Sequence, residues 1–316
     1  MLIYALKRLG LAAVIISTAM AFLFAMVFLI PGDPASVALG PRATPEMIED
    51  LRQRMGLDRP IWAQFWAFYT SAWQGDLGTE VLSNRPVLDV VLEQLPFTLA
   101  LIAGGLTWSV ALGIPLGCVA AVKRGSFADR VIGVLSVAVI AVPSFVVAIY
   151  ALLVFAVALR WLPAIGAGEP GKIGDQLAHL ILPSLAVGLG WVGYIARMVR
   201  ASMLEVMEAG HIRTARAFGL PERQIVYSYA LRIAILPTLT LLGIGIGQML
   251  SSAVFAEIVF ARPGIGKLVY DAILTRNYPL VTGSVLVTTA FFVLANMIAD
   301  TVIGALDPRV RSSLNT

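Results

Sequence analysis

Long apolar runs separated by short polar segments dominate the chain. Six of them, at about 9–30, 96–122, 131–159, 180–199, 233–260 and 280–304, reach the roughly 20 residues needed to cross about 30 Å of hydrocarbon at about 1.5 Å of helical rise per residue. They predict six membrane-spanning helices. The first run follows Lys7 and Arg8, as a secretory leader would. Its apolar core is too long for one, and PGDPASVALG is a poor cleavage site, so it reads as a retained span.

The polar segments between the runs differ in kind. About 65 residues separate the first two spans, too many for a simple connector. Within them Thr44 and Pro45 read as an N-cap and first helical position, Ile48, Leu51 and Met55 share a face, and Gly56 can stop the helix. A second helix starts near Pro60, and Trp62, Phe65, Trp66, Tyr69 and Trp73 recur along it at three- and four-residue spacing. That aromatic stripe suits a membrane interface or packing on the spans. The loop KRGSFADR between the second and third spans is short and basic, and it holds no catalytic constellation.

The segment EAGHIRTARAFGLPERQIVYSYALR, residues 208–232, is a basic, helix-patterned island. Ile212, Ala215 and Phe218 fall at helical spacing beside Arg213 and Arg216. Gly219 stands where a left-handed helix stop falls, and Pro221 restarts a helix whose stripe is Ile225, Val226, Tyr229 and Ile233. Helix, tight turn, helix is the expected shape. Such an amphipathic unit can lie on lipid headgroups, act as a solvated connector, or seat its apolar face in a groove on a soluble partner.

Composition sharpens the membrane reading. The 316 residues are 59% hydrophobic and 13% charged, with a mean hydropathy of +0.86, an apolar surplus that has to face lipid. With the N-terminus inside, Lys7, Arg8, Lys123, Arg124, Arg130, Arg197, Arg200, Arg213, Arg216, Arg223, Arg232, Arg309 and Arg311 fall on the inner side, and most acidic residues fall outside. The positive-inside bias therefore predicts two cytoplasmic termini. Cys118 is the single cysteine and reads as a small packing residue; His179 and His211 fall on opposite sides, and metal-ligand spacing is absent.

Ionisable residues within the spans are few, Glu257 and Asp300 being the main ones, with Gln248, Ser251, Ser252 and Asn296 as uncharged polar positions. Intramembrane charge is costly and points to function. Pro143 and Ser144, where a helix can kink, join Gln248, Ser251, Ser252 and Glu257 as pathway candidates. No internal repeat supports an inverted-repeat secondary transporter, although an ion-coupled transporter working alone remains the rival reading from another class. GIGKL from Gly264 lacks the glycine spacing and the Ser or Thr of a P-loop, and no nucleophile with an adjacent base stands out. The chain is therefore not expected to be an enzyme, and any ATP has to be bound by another chain.

The ordered motifs IPGDPA, GPRATPE, MGLDRP, GDLGT, GIPLG, VPSF, RTARAFGL, ALRIAILPTLT, RPGIGKLVYDAILTRNYPLVTG and LDPRVR resemble, over almost the whole length, the inner-membrane permease subunits of bacterial ABC importers, in the dipeptide, oligopeptide and nickel branch. The resemblance implies an all-α, six-span, MetI-like fold of the type I importers in the bacterial inner membrane. It places an N-terminal helix and extracytoplasmic segment at 1–95 and a five-helix core at 96–316. The family's coupling motif reads Glu-Ala-Ala, three residues, Gly, nine residues, then Ile-x-Leu-Pro. Aligned on Gly219, only Ala215, Gly219 and Leu231 agree; the glutamate and final proline are missing, and a later ILP ends at Pro237.

By resemblance, Arg213, Thr214, Ala215, Arg216, Phe218 and Gly219 form the coupling helix that seats in an ATPase. The implied partners are a second, homologous permease in a heterodimer, two ATPase subunits carrying ATP and Mg, and an extracytoplasmic solute-binding protein, with no nucleic acid involved. Di- or oligopeptides are the leading substrate expectation; nickel chelates, glutathione or another small solute are the alternative.

Overall fold

The computed structural model describes residues 2–29, 35–36, 43–54, 58–81 and 83–306, with side chains throughout except at 2–7, 27–29, 51, 54, 299–300 and 302–306. The regular elements among them are helices, apart from one bridge between Thr79 and Pro86. In chain order they are α1 (Leu2–Leu29), α2 (Pro45–Arg54), α3 (Ile61–Trp73), α4 (Val87–Val122), α5 (Phe127–Ala141) and α6 (Ser144–Ala151), which continues as a π-helix over Leu152–Ala158. Then come α7 (Ile173–Met207), α8 (Gly210–Ala217), α9 (Glu222–Gln224), a π-helix over Ile225–Ala230, α10 (Leu231–Ala234), α11 (Leu236–Val259), α12 (Ile265–Leu274) and α13 (Tyr278–Leu306).

Five of these, α1, α4, α7, α11 and α13, are long and apolar enough to cross a membrane, and the bent pair from α5 to residue 158 makes six if it counts as one span. The sequence predicts that third span as one helix with a kink. The structure instead turns it by 100°. Val142 is extended, as a residue before proline prefers, and Pro143 has no N–H to continue the ladder.

The helices form two compact units: the chain up to Pro96 with Gly264–Leu294, and Phe97–Pro263 with the residues that follow 294. The first unit thus takes in a stretch that the sequence reading assigns to the core. There, Val87, Val90 and Val91 bury against Ile265, Ala272 and Leu280. Thr44 caps α2, its Oγ1 accepting from the Met47 N–H, while Met55 and Gly56 lie outside the described residues. The α3 aromatics divide between two faces. Phe65 and Phe68 meet Phe24 of α1 at 5.3 and 6.2 Å between ring centroids, and Tyr69 hydrogen-bonds Ser17, whereas Trp62, Trp66 and Trp73 are exposed.

In the second unit α7 is the central element, packed against α5, α6 and α11. Glycines on α4 let it approach closely. A Cβ at Gly117 would stand 2.7 Å from the Ala196 carbonyl oxygen, and one at Gly188 would overlap the Gly105 backbone. Ser109 Oγ donates toward the carbonyls of both Gly105 and Gly188, tying the two helices across this seam.

Candidate functional site

The island forms helix, turn, helix. Its first arm, α8, stops through paired backbone bonds: Gly219 N–H donates to the Arg216 carbonyl at 2.9 Å and Leu220 N–H to that of Ala215 at 3.3 Å. Gly219 sits at φ +74°, the left-handed position this stop requires. Arg216 then forks onto Glu222 across the turn, with Nη2–Oε1 at 2.7 Å and Nε–Oε2 at 3.3 Å. This bond holds the Glu222 carboxyl below its usual range and raises Arg216.

One side of the island is anchored. Ile212, Ala215, Ile225, Val226, Ala230 and Ala234 bury in a single cluster with Cys118 and Ala121 of α4 and with Ile195, Val199 and Met203 of α7. The predicted second stripe needs correction, because Tyr229 and Ile233 are exposed. Residues 225–230 form a π-helix, whose wider turn brings Ala230 and then Ala234 onto the face begun by Ile225. The other side is free. Phe218, expected on the apolar stripe, is 81% exposed at the end of α8, and Arg213 and Thr214 are also exposed. The Thr214 hydroxyl donates back to the Gly210 carbonyl.

The pathway candidates do not form one group. On α11, Gln248 and Ser251 share an exposed face with Ile244 and Phe255, while Ser252 is half-buried. The Phe255 ring lies 5.9 Å from that of Phe145, just past the Pro143–Ser144 break. Glu257 is apart from them. It is 0% exposed and accepts the Thr98 hydroxyl at 2.6 Å. The side chain of Asp300 lies outside the described residues.

Residues 113–312 match the model of the binding-protein-dependent transport system inner membrane component, and residues 1–102 match its N-terminal counterpart. The chain belongs to this family. The permease is 37% identical over 313 residues to the glutathione transport system permease proteins of Shigella flexneri serotype 5b and Escherichia coli K12, with 98% of this chain and 99% of each relative covered. It is 38% identical over 312 residues to the protein of that name in Salmonella choleraesuis, with the same coverage. In fold it resembles a chain of the MetNI methionine ABC transporter solved in inward-facing conformations. The TM-score is 0.54 at 18% identity, covering 68% of this chain and 95% of that one. It is thus a membrane-embedded transport subunit of an ABC importer, not itself catalytic.

Sequence reasoning passed over two features of the permease. The KRGSFADR loop, which carries no catalytic group, is tied to α7: Arg124 pairs with Glu208 at 2.9 Å, and Asp129 receives a two-point bond from Arg200. The pattern Ser126-x-x-Asp129 is a helix-start signal, and Ser126 does accept from the Asp129 N–H; the distant arginine has no signature in local spacing. Arg262 is buried over the Phe97 ring, 5.9 Å from its centroid, near Glu257.

Proposed function

We propose that the permease carries glutathione or a similarly small peptide across the bacterial inner membrane, with the island as its coupling element on a cytoplasmic ATPase. The observation that carries the coupling role is the island's division of labour. Its aliphatic face is welded to α4 and α7, while Phe218 projects at the turn between α8, which bears Arg213 and Arg216, and α9, which bears Arg223. An exposed aromatic beside arginines is the composition of a docking hot spot, and the buried face gives the docked contact a rigid body to push on.

In this reading ATP and Mg belong to two partner ATPases, a second permease completes the pathway, and an external solute-binding protein delivers the cargo. Both termini are cytoplasmic, in accord with the positive-inside charge. Alternating access moves the exposed Gln248 and Ser251 face, and the Phe145–Phe255 contact beside it, between open and closed arrangements. The names of the relatives favour glutathione over longer oligopeptides, and so favour the alternative over the leading sequence expectation.

Uptake of labelled glutathione by proteoliposomes holding the whole importer and its binding protein tests this. The expected result is accumulation that requires ATP on the ATPase side and persists when ion gradients are collapsed. Accumulation that follows a proton or sodium gradient without ATP would return the permease to the secondary-transporter class. ATP-driven uptake of dipeptides but not glutathione would reverse the substrate assignment.

A further inference from the structure

The loop between α4 and α5 has a role that neither family membership nor the coupling helix supplies. Asp129, 7% exposed, is the third residue of α5. Its Oδ1 accepts Arg200 Nε at 2.6 Å; its Oδ2 accepts Arg200 Nη2 at 2.9 Å and the Gly125 N–H at 2.9 Å. The carboxylate thus closes its own loop and grips α7 with a fork that fixes both distance and angle.

Arg200 lies eight residues before Glu208, about 12 Å along the helix, and Glu208, at the start of the island, holds Arg124 from the same loop. The loop is therefore joined to α7 at Arg200 and to the start of the island at Glu208. Farther along, α5 meets α7 again where Gly193 approaches the Ser136 carbonyl, and α5 ends at the Val142–Pro143 break, beyond which Phe145 touches Phe255. An apolar contact would hold these helices together as well. The Asp129–Arg200 pair is half-buried, with side-chain exposure of 35% for Arg200 and 8% for Asp129, so its Coulombic gain is partly screened and partly offset by desolvation, and net stability does not account for it.

We propose that Asp129 and Arg200 are a positioning pair that makes α5 move as one body with the coupling island, delivering ATPase-driven movement to the bent α5–α6 element. The inference rests on the coupling role proposed above. The pair acts through the helices it joins.

The test uses the whole importer, purified with its partners, carrying C118A and nitroxide labels at the exposed Phe127, on α5, and Tyr227, in the second arm of the island. Distances are measured by pulsed electron resonance without nucleotide and with Mg-ATP and vanadate. The pair predicts one unchanged 127–227 distance in both states. D129N, with the ATPases still bound, is expected to let that distance shift or broaden on nucleotide addition. Solute moved per ATP should fall while ATP hydrolysis continues. R200K keeps the charge but not the fork, so it should give an intermediate response and serves if D129N does not assemble. A wild-type distance that changes with nucleotide, or a D129N or R200K response like wild type, overturns the proposal. Failure of the ATPases to accompany even the wild-type permease sinks the coupling reading itself, and this inference with it.

Discussion

Phe218 and Gly219 are adjacent and do opposite work. Gly219 supplies a backbone conformation, and its neighbour supplies a surface. At φ +74° an L side chain is strained, so Gly219→Ala should cost about 1–2 kcal/mol of island stability. Gly219→Asn, which tolerates left-handed geometry, should cost less. The thermal midpoint of the purified importer reads that order; equal midpoints for Ala and Asn would contradict it. The turn also responds to pH. Because the folded state lowers the Glu222 carboxyl, the Arg216 pair contributes fully above the ordinary glutamate range and is lost as pH falls through the depressed value. Both side chains are exposed, so the effect is small. Glu222→Gln should remove the turn's small share of the acid-side loss of midpoint while leaving neutral-pH stability nearly intact.

At the scale of helices, the seam between α4 and α7 sets how the second unit is built. A leucine at Gly188 meets the Gly105 backbone, which cannot move aside as a side chain can, and should prevent accumulation of folded permease. Gly133 on α5 has nothing within 4 Å, so Gly133→Ala should be neutral or stabilising by up to about 1 kcal/mol. Yields and melting by fluorescence-detected size exclusion separate the two; similar behaviour of both variants would refute the seam. Much of this architecture was legible in the sequence. Apolar run length located the spans, and Gly219 with Pro221 located the turn. Three things were not legible. Pro143 signalled a kink, but the 100° turn depends on packing beyond it. The π-helix after Gln224 rotates the stripe, because the chain winds wider there than the 3.6-residue period of an α-helix. Asp129 and Arg200 are 71 residues apart, and local periodicity does not reach that far.

For the whole molecule, family membership makes the permease one part of a machine whose fuel is burned elsewhere. In the proposed reading that energy enters at the island, which is anchored on α4 and α7 by Ile212, Ala215, Ile225 and Val226 and open at Phe218. Because those anchors are separate from Phe218, the proposed docking surface can be altered without disturbing the fold. The direct measurement is recovery of the ATPase subunits with affinity-purified permease, wild type against Phe218→Asp, in mild detergent and with permease yield and melting recorded in parallel. Phe218→Asp is expected to leave the permease folded and paired with its membrane partner while ATPase recovery drops by roughly tenfold or more, as loss of a buried aromatic anchor implies. Undiminished ATPase recovery with a folded Phe218→Asp permease would contradict it and move the docking surface off the island.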